Sequence, residues 1–410
     1  MAAPADSTNQ VGTLGDIVTP RSKPSITSTQ ALPALAARLG AGFAGWSGRV
    51  LRLGDKVFVA RHADVLQVLQ RDLDFRIAPI NQVRIDEVNG PFILGMDRGA
   101  RLADERGLLY RALARVDLAP LAKQVVRLAV ARIAEAGADP LDVVGGYARP
   151  IAARTATALF GVTGSSPEML MEVARAVFAH TFLNLGGDET VRQRALRASR
   201  LMGEWITAEV ARRIAAPDPG SDLMGQLIRL QREDGRPVDA DLVRRQLGGM
   251  LVGSIDTTAS CVAKIIAVIG ADKELAAEVA RDVDAPERLR GWCWEALRRW
   301  PHNPVVLREA VAATTLNGQE IKPGDRIFAW TQAAMLDATA FPDPLKLRPD
   351  RPEGNYLHFG GALHACAGRA VNQFQIPILV GAILRRGLAS VGKMDWAGPF
   401  PDRLMAELTR

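Results

Sequence analysis

The stretch HFGGALHACAGR, His358–Arg369, holds one of the chain's three cysteines in a frame that a merely buried thiol does not require. Gly360, Gly361 and Gly368 remove side chains on both sides of Cys366, so the backbone bends tightly and admits a flat partner at close range. The following residues, AGRAVNQFQ, read as the start of a helix, and unpaired N–H groups in a first helical turn stabilise a negative sulfur. Phe359 is placed to shield the site, and His364 and Arg369 to meet negative groups. Two readings stay open on these residues alone. One is a structural cysteine in a glycine-rich turn, since free cysteines are among the most buried residues. The other is a thiolate bonded to a metal.

Cys261 and Cys293 form no CxxC or CxxH spacing with it, which argues against a disulfide framework and a zinc site. Free thiols suit a reducing compartment. Hydrophobic residues make up 48% and charged residues 23% of the 410, the balance of a globular chain with a large core. The N-terminus is polar and has no signal-peptide apolar run, so residues 1–25 are expected to be a flexible lead-in and 26–410 one domain. No uncharged apolar run is long enough to span a membrane, and a cytoplasmic monomer is expected. The net charge of +6 is spread along the chain and aromatic residues make up only 5%, which speaks against nucleic-acid binding. A basic patch facing an acidic protein partner fits better.

Helical periodicity dominates the middle of the chain. In LAKQVVRLAVARIAEAG apolar residues recur at Ala122, Val126, Ala129 and Ile133, with Gly137 and Pro140 as stop signals. Similar patterns cover Leu196–Ile214 and about Leu242–Gly270. Strand-like runs lie near the ends, in GRVLRLGDKVFVA, VVLREAV and RIFAW. No repeat or long linker divides the chain. The expected fold is mainly α with small β-sheets attached.

Two more constellations carry chemistry. In EALRRWP, Glu295 and Arg298 stand three apart and share a helix face, where a solvated ion pair is the plainer reading. In GGMLVGSIDTTAS an acid and two hydroxyls, Asp256, Thr257 and Thr258, interrupt a long apolar helix. A buried carboxylate demands compensation. Either a local distortion near Gly253 sits beside a ligand, or the polar face turns outward.

These three stretches, in this order, resemble the cytochrome P450 family of haem-thiolate monooxygenases. The family's cysteine pattern matches Phe359, His364, Cys366 and Gly368, departing at Ala362 where glycine is usual. Its Glu-x-x-Arg helix matches Glu295 and Arg298, and its Pro-Asp-Arg element matches Pro349, Asp350 and Arg351. Its oxygen-side helix matches Gly253, Asp256, Thr257 and Thr258, with Ser254 in place of a glycine. VFVARHADVLQVL is similar to the family's first-sheet entry, and Arg308 falls where a haem-propionate arginine is expected. Two departures stand out. Leu102 lies four before Arg106, where His or Trp is usual, so Arg101 is an alternative source of that contact. AAMLD, Ala333–Asp337, replaces AANRD and puts local packing in question.

The resemblance implies a single large triangular helical domain around a buried haem b (iron protoporphyrin IX), with Cys366 as the axial iron ligand. It implies that Asp256 and Thr257 deliver protons for the activation of O2. His364, Arg308 and Arg106 would hold propionates, and Phe359, Gly368 and Gly253 would border the cofactor. Glu295, Arg298 and Arg351 would form a structural network. The apolar pocket would draw on Phe178, Phe182, Leu183, Leu247, Leu251, Val305, Val306 and Phe400, so the substrate is expected to be a small or medium hydrophobic molecule. No flavin or nicotinamide module accompanies these motifs. Electrons from NAD(P)H would arrive through a separate ferredoxin and reductase, with docking near Arg369. The alternatives are a haem-binding sensor, and a peroxide-using or isomerising haem-thiolate enzyme.

Overall fold

The structure, a computed structural model, describes Ile17 and residues 50–162, 166–398 and 400–409. The expected lead-in, residues 1–25, lies outside the described residues apart from Ile17. Helices dominate, with small sheets at the periphery, as the sequence pattern requires.

The chain enters through β1 (Leu51–Leu53) and β2 (Lys56–Val59), whose partner β8 (Arg326–Ala329) runs parallel to β2 in the register Val57↔Ile327. With β3 (Phe75–Arg76) and β5 (Val306–Ala310) they make a five-stranded sheet in the order β1-β2-β8-β5-β3. This sheet puts Arg308 on β5 at the edge of the interior. A three-stranded sheet combines β4 (Leu141–Asp142), β12 (Met405–Leu408) and β9 (Leu388–Val391). Two hairpins complete the set: β6 (Thr314–Leu316) with β7 (Gln319–Ile321), and β10 (Asp395–Ala397) with β11 (Phe400–Arg403).

The first helices are α1 (His62–Gln70), α2 (Ala78–Asn89), α3 (Ala100–Arg115) and α4 (Ala119–Ala136). In α4 the buried face is Leu121, Val125, Ala129 and Ile133, while Val126 is exposed. The periodic face read from the sequence is thus one residue out of phase in its first half. Apolar residues occupy both possible faces there, and packing decides between them.

Then come α5 (Arg149–Phe160), α6 (Pro167–Phe178), α7 (Glu189–Ala215) and α8 (Leu223–Glu233). A π-turn, Ala179–Leu183, follows α6. The long apolar stretch is two helices, α9 (Ala240–Val252) and α10 (Asp256–Gly270), separated at Gly253–Ile255. By length and composition it could cross a membrane, but 67% of its most apolar window is buried inside the fold, which makes it a core element. After α11 (Lys273–Arg281) and α12 (Pro286–Arg299) the chain crosses the sheets and ends its helical part in α13 (Arg369–Arg386).

The core has two apolar bodies. One gathers around α4, α10, α12 and α13, and the other around α3 and α5 to α9. The cysteine loop sits at their seam: Phe359 packs on the first body, and Leu363 and Ala367 on the second.

Candidate active site

The loop closes on itself before the helix begins. The N–H of Cys366 donates to the Phe359 carbonyl at 2.9 Å, and that of Gly360, at φ +67°, donates to Leu357. Burial pushes the Cys366 thiol up, while the N–H groups of Gly368 and Arg369 pull it the other way. By surface area the Cys366 side chain is nevertheless exposed. Both hold if its accessible surface faces an interior space and not bulk solvent. Ala362 carries φ +53°, so the residue that departs from the family pattern sits in the left-handed region that glycine favours.

The long apolar helix is distorted near Gly253 as one sequence reading expected, and three hydroxyls take up carbonyls there. Ser254 Oγ donates to the Leu251 carbonyl at 2.8 Å, and Thr257 Oγ1 to that of Gly253 at 2.5 Å. Thr258 Oγ1 donates to Ser254 O at 2.8 Å and lies 3.2 Å from Asn372 Oδ1 on α13. Its single proton serves the shorter contact. Gly253 is exposed and Thr257 half-buried, within a segment otherwise largely buried.

Asp256 does not face outward. Its side chain is 4% exposed and meets two arginines. Arg175 Nη2 lies 2.6 Å from Oδ1, and Arg175 Nε lies 3.2 Å from both oxygens. Arg149 Nε is 3.0 Å from Oδ1, yet its N–H finds no hydrogen-bond acceptor, so that contact is an ion pair only. Burial alone would raise the Asp256 carboxyl; Arg175 and Arg149 outweigh it and hold the group below the ordinary value of 3.8. Arg175 also reaches Asp402 at 3.1 Å. Arg149, Arg175 and Asp402 were not foreseen, since no local pattern ties them to Asp256.

Arg308 is 6% exposed, and among the described residues no carboxylate lies in ion-pair contact with it. Burial pulls its pKa down to about 10. His364 is pulled down to about 4, first by burial and then by Arg308. Arg106 also bears on His364 and stacks over Tyr110 at 4.2 Å, whose hydroxyl donates to the Ala365 carbonyl. Arg101 is committed to Glu105 at 2.8 Å and Leu102 is buried, so neither replaces the missing family contact.

Glu295 and Arg298 are not a solvated pair. Both are fully buried and joined by two hydrogen bonds of 2.7 and 2.8 Å. Arg351 Nε, the Arg348 N–H and the Tyr356 hydroxyl also donate to Glu295. Gly291 on α12 makes room for this: a Cβ there would lie 2.0 Å from the Pro349 carbonyl oxygen. The AAMLD segment joins in, with Met335 O accepting from Arg298 and Met335 Sδ from the Leu357 N–H. Its packing is intact.

Of the pocket residues, Phe178 meets Phe182 and Phe400 at 4.8 and 5.4 Å. Leu183 is partly buried beside them, while Leu247 and Leu251 are wholly buried in the core. Val305 packs near Trp330 and Val306 against the first core body. A small apolar cavity lies between α2, the π-turn after α6 and α9. Its lining includes Phe92, Phe182, Gly249 and Val252, and the Phe92 ring occupies the space a side chain at residue 249 would take.

These residues fit a haem. Among the described residues no cluster of three metal-ligating side chains exists, so iron on Cys366 needs its other ligands from an organic ring. The buried Arg308 beside His364, which Asp72 and Asp97 reach only at a distance, fits the carboxylates such a ring carries.

Comparisons with known proteins bear on the fold. The Cytochrome P450 family model matches residues 204–387. The chain is 26% identical over 272 residues to mycinamicin IV hydroxylase/epoxidase of Micromonospora griseorubida, covering 66% of this chain and 65% of that protein. It is 26% identical over 369 residues to nocardicin C N-oxygenase of Nocardia uniformis subsp. tsuyamanensis, covering 86% and 85%. The alignment to cyclooctat-9-en-7-ol 5-monooxygenase of Streptomyces melanosporofaciens, at 29% identity, spans 43% of each chain. Two of these three alignments thus span less than two thirds of the relative. Among solved structures, that of CalO2 superposes with a TM-score of 0.79 at 20% identity, covering 93% of this chain and 97% of the other. A mutant of P450 EryK in complex with erythromycin B superposes at 0.76, with 20% identity and coverage of 93% and 98%. The fold is the cytochrome P450 fold.

Proposed function

We propose that the protein is a haem-thiolate monooxygenase that inserts one oxygen atom of O2 into an apolar organic substrate. Its electrons come from NAD(P)H through a separate ferredoxin and reductase. The observation that carries the reading is Cys366: a thiol deep in the fold, with accessible surface and two backbone N–H groups directed at it. Cys366 would ligate the iron, with Arg308, His364 and Arg106 on the propionates. Bound haem supplies O2 activation, which a thiolate ligand promotes by donating electron density.

The chain's own residues do the rest. The helix break at Gly253 opens room beside α9 and α10, and Thr257 holds its hydroxyl there on the Gly253 carbonyl. Asp256, ionised at neutral pH, accepts and passes a proton when it leaves Arg175, and Asp402 keeps Arg175 paired meanwhile. The apolar lining excludes bulk water from the substrate side.

Because Asp256 is held by two arginines, a peroxide-driven reaction that needs no proton relay is the second reading. Reconstitution with a surrogate ferredoxin system separates the two. The expected result is NADH consumption matched by oxygenated product, lost in Asp256→Asn/Thr257→Ala. Product formation from hydrogen peroxide that survives the double substitution, with none from NADH, would replace the first reading by the second.

A further inference from the structure

Beside the small apolar cavity lies a charged group, outside its lining, that the chemistry at Cys366 does not use. On α2, Arg84 lies next to Ile85 and one turn before Val88, both of which line the cavity. Its Nε donates to the Thr181 carbonyl at 2.9 Å and its Nη2 to the Ile80 carbonyl at 2.6 Å. Thr181 is itself part of the cavity wall, so the guanidinium is pinned at that wall by neutral acceptors. Among the described residues its Nη1 makes no hydrogen bond, and no carboxylate forms an ion pair with it. Burial holds its pKa below the ordinary arginine value; the one other charge bearing on it, Arg326, is also a cation and pushes the same way. The neighbouring acid on α2 does not help. Glu87 is occupied by Arg192 at 2.6 Å and His180 at 2.9 Å.

A partly buried guanidinium without a counter-charge is unfavourable unless something supplies one. Two weak compensations exist, the two carbonyls and the C-terminal end of the helical segment at Thr181. Neither uses the forked geometry that distinguishes arginine, which matches a carboxylate with two parallel hydrogen bonds. The cavity wall includes Gly249 and Val252, and Val252 is the last residue of α9 before the helix break at Gly253. A molecule held by a charged end at Arg84 would therefore extend an apolar body toward the oxygen side.

We propose that Arg84 recognises a carboxylate on an otherwise apolar substrate. This deepens the monooxygenase reading and rests on it for the site of oxidation, though not for the binding itself. The test is equilibrium dialysis of the haem-loaded full-length protein, near neutral pH, with dodecanoate and 4-phenylbutyrate, each compared with its methyl ester. At least one acid binds about tenfold or more tighter than its ester, a preference of the size one good charged contact supplies. Arg84→Gln, which keeps a donor for the carbonyls and removes the charge, abolishes the preference and leaves ester affinity unchanged. Arg84→Lys keeps part of it. A purely structural Arg84 would instead weaken acid and ester alike. Absence of preference for both acids, or its survival in Arg84→Gln, overturns the inference. The carbon-monoxide spectrum of the same reduced sample reports thiolate-bound haem separately. A normal spectrum without acid preference sinks only this inference, and an abnormal spectrum with acid preference sinks only the monooxygenase reading.

Discussion

Glu295 and Asp256 are both buried and each meets two arginines, but they are held in different ways. Glu295 receives hydrogen bonds from Arg298, Arg351, the Tyr356 hydroxyl and the backbone of Arg348. Arg298 then reaches the carbonyls of Met335, Pro344 and Lys346, tying α12 to two stretches of irregular chain. Asp256 has arginine side chains alone, and one of the two contacts is not a hydrogen bond. It also lies at the first turn after a helix break. The first acid is saturated and fixed; the second has room to exchange partners. A buried ion pair does not by itself say which role it serves, but the number and kind of its donors do.

Removing the charge on each side should expose that contrast. Glu295→Gln leaves Arg298 buried and uncompensated, a loss of about 3–5 kcal/mol in urea unfolding. Equal stability of the variant and the parent would show that the proximal network is not structural. Asp256→Asn leaves Arg175 with Asp402, so its effect on unfolding should be the smaller of the two. Combined with Thr257→Ala, it should reduce coupled product formation by about 100-fold or more, measured as product per NADH. A larger stability loss at Asp256 than at Glu295 would invert the comparison.

The acid limb of stability sharpens it further. The carboxyl of Asp256 is depressed in the fold, so its contribution is fully present above the unfolded value near 3.8 and is lost as pH falls through the depressed value. Asp256→Asn should flatten that part of the unfolding curve below about pH 4, read by circular dichroism. An unchanged acid limb would mean that the two arginines do not hold the ionised form. The smallest effect belongs to the proximal loop. Ala362 sits at φ +53°, so Ala362→Gly should stabilise by about 1 kcal/mol in the same urea assay.

What was readable in the sequence was what is local along the chain. The glycines around Cys366, the three-residue spacing of Glu295 and Arg298, and the acid among apolar residues at Asp256 all declare themselves within a dozen residues. The arginines that hold Asp256 do not, because Arg175 lies 81 positions away and Arg149 is further still. Each sits on an ordinary-looking helix. The phase of α4 failed for a different reason. Valines at 125, 126 and 130 make both faces apolar, and only docking on the core shows that Val126 and Val130 are the exposed ones. Arg84 gave no signal either, since its lack of a counter-charge is a property of its surroundings.

The central claim is that the Cys366 thiolate is the iron ligand, and the most direct measurement is the absorption spectrum of the reduced, carbon-monoxide-treated protein. The expected result is the long-wavelength band of thiolate-ligated haem, lost in Cys366→Ser and retained in Cys261→Ser and Cys293→Ser. A band that persists in Cys366→Ser, or a parent spectrum typical of imidazole ligation, would contradict it.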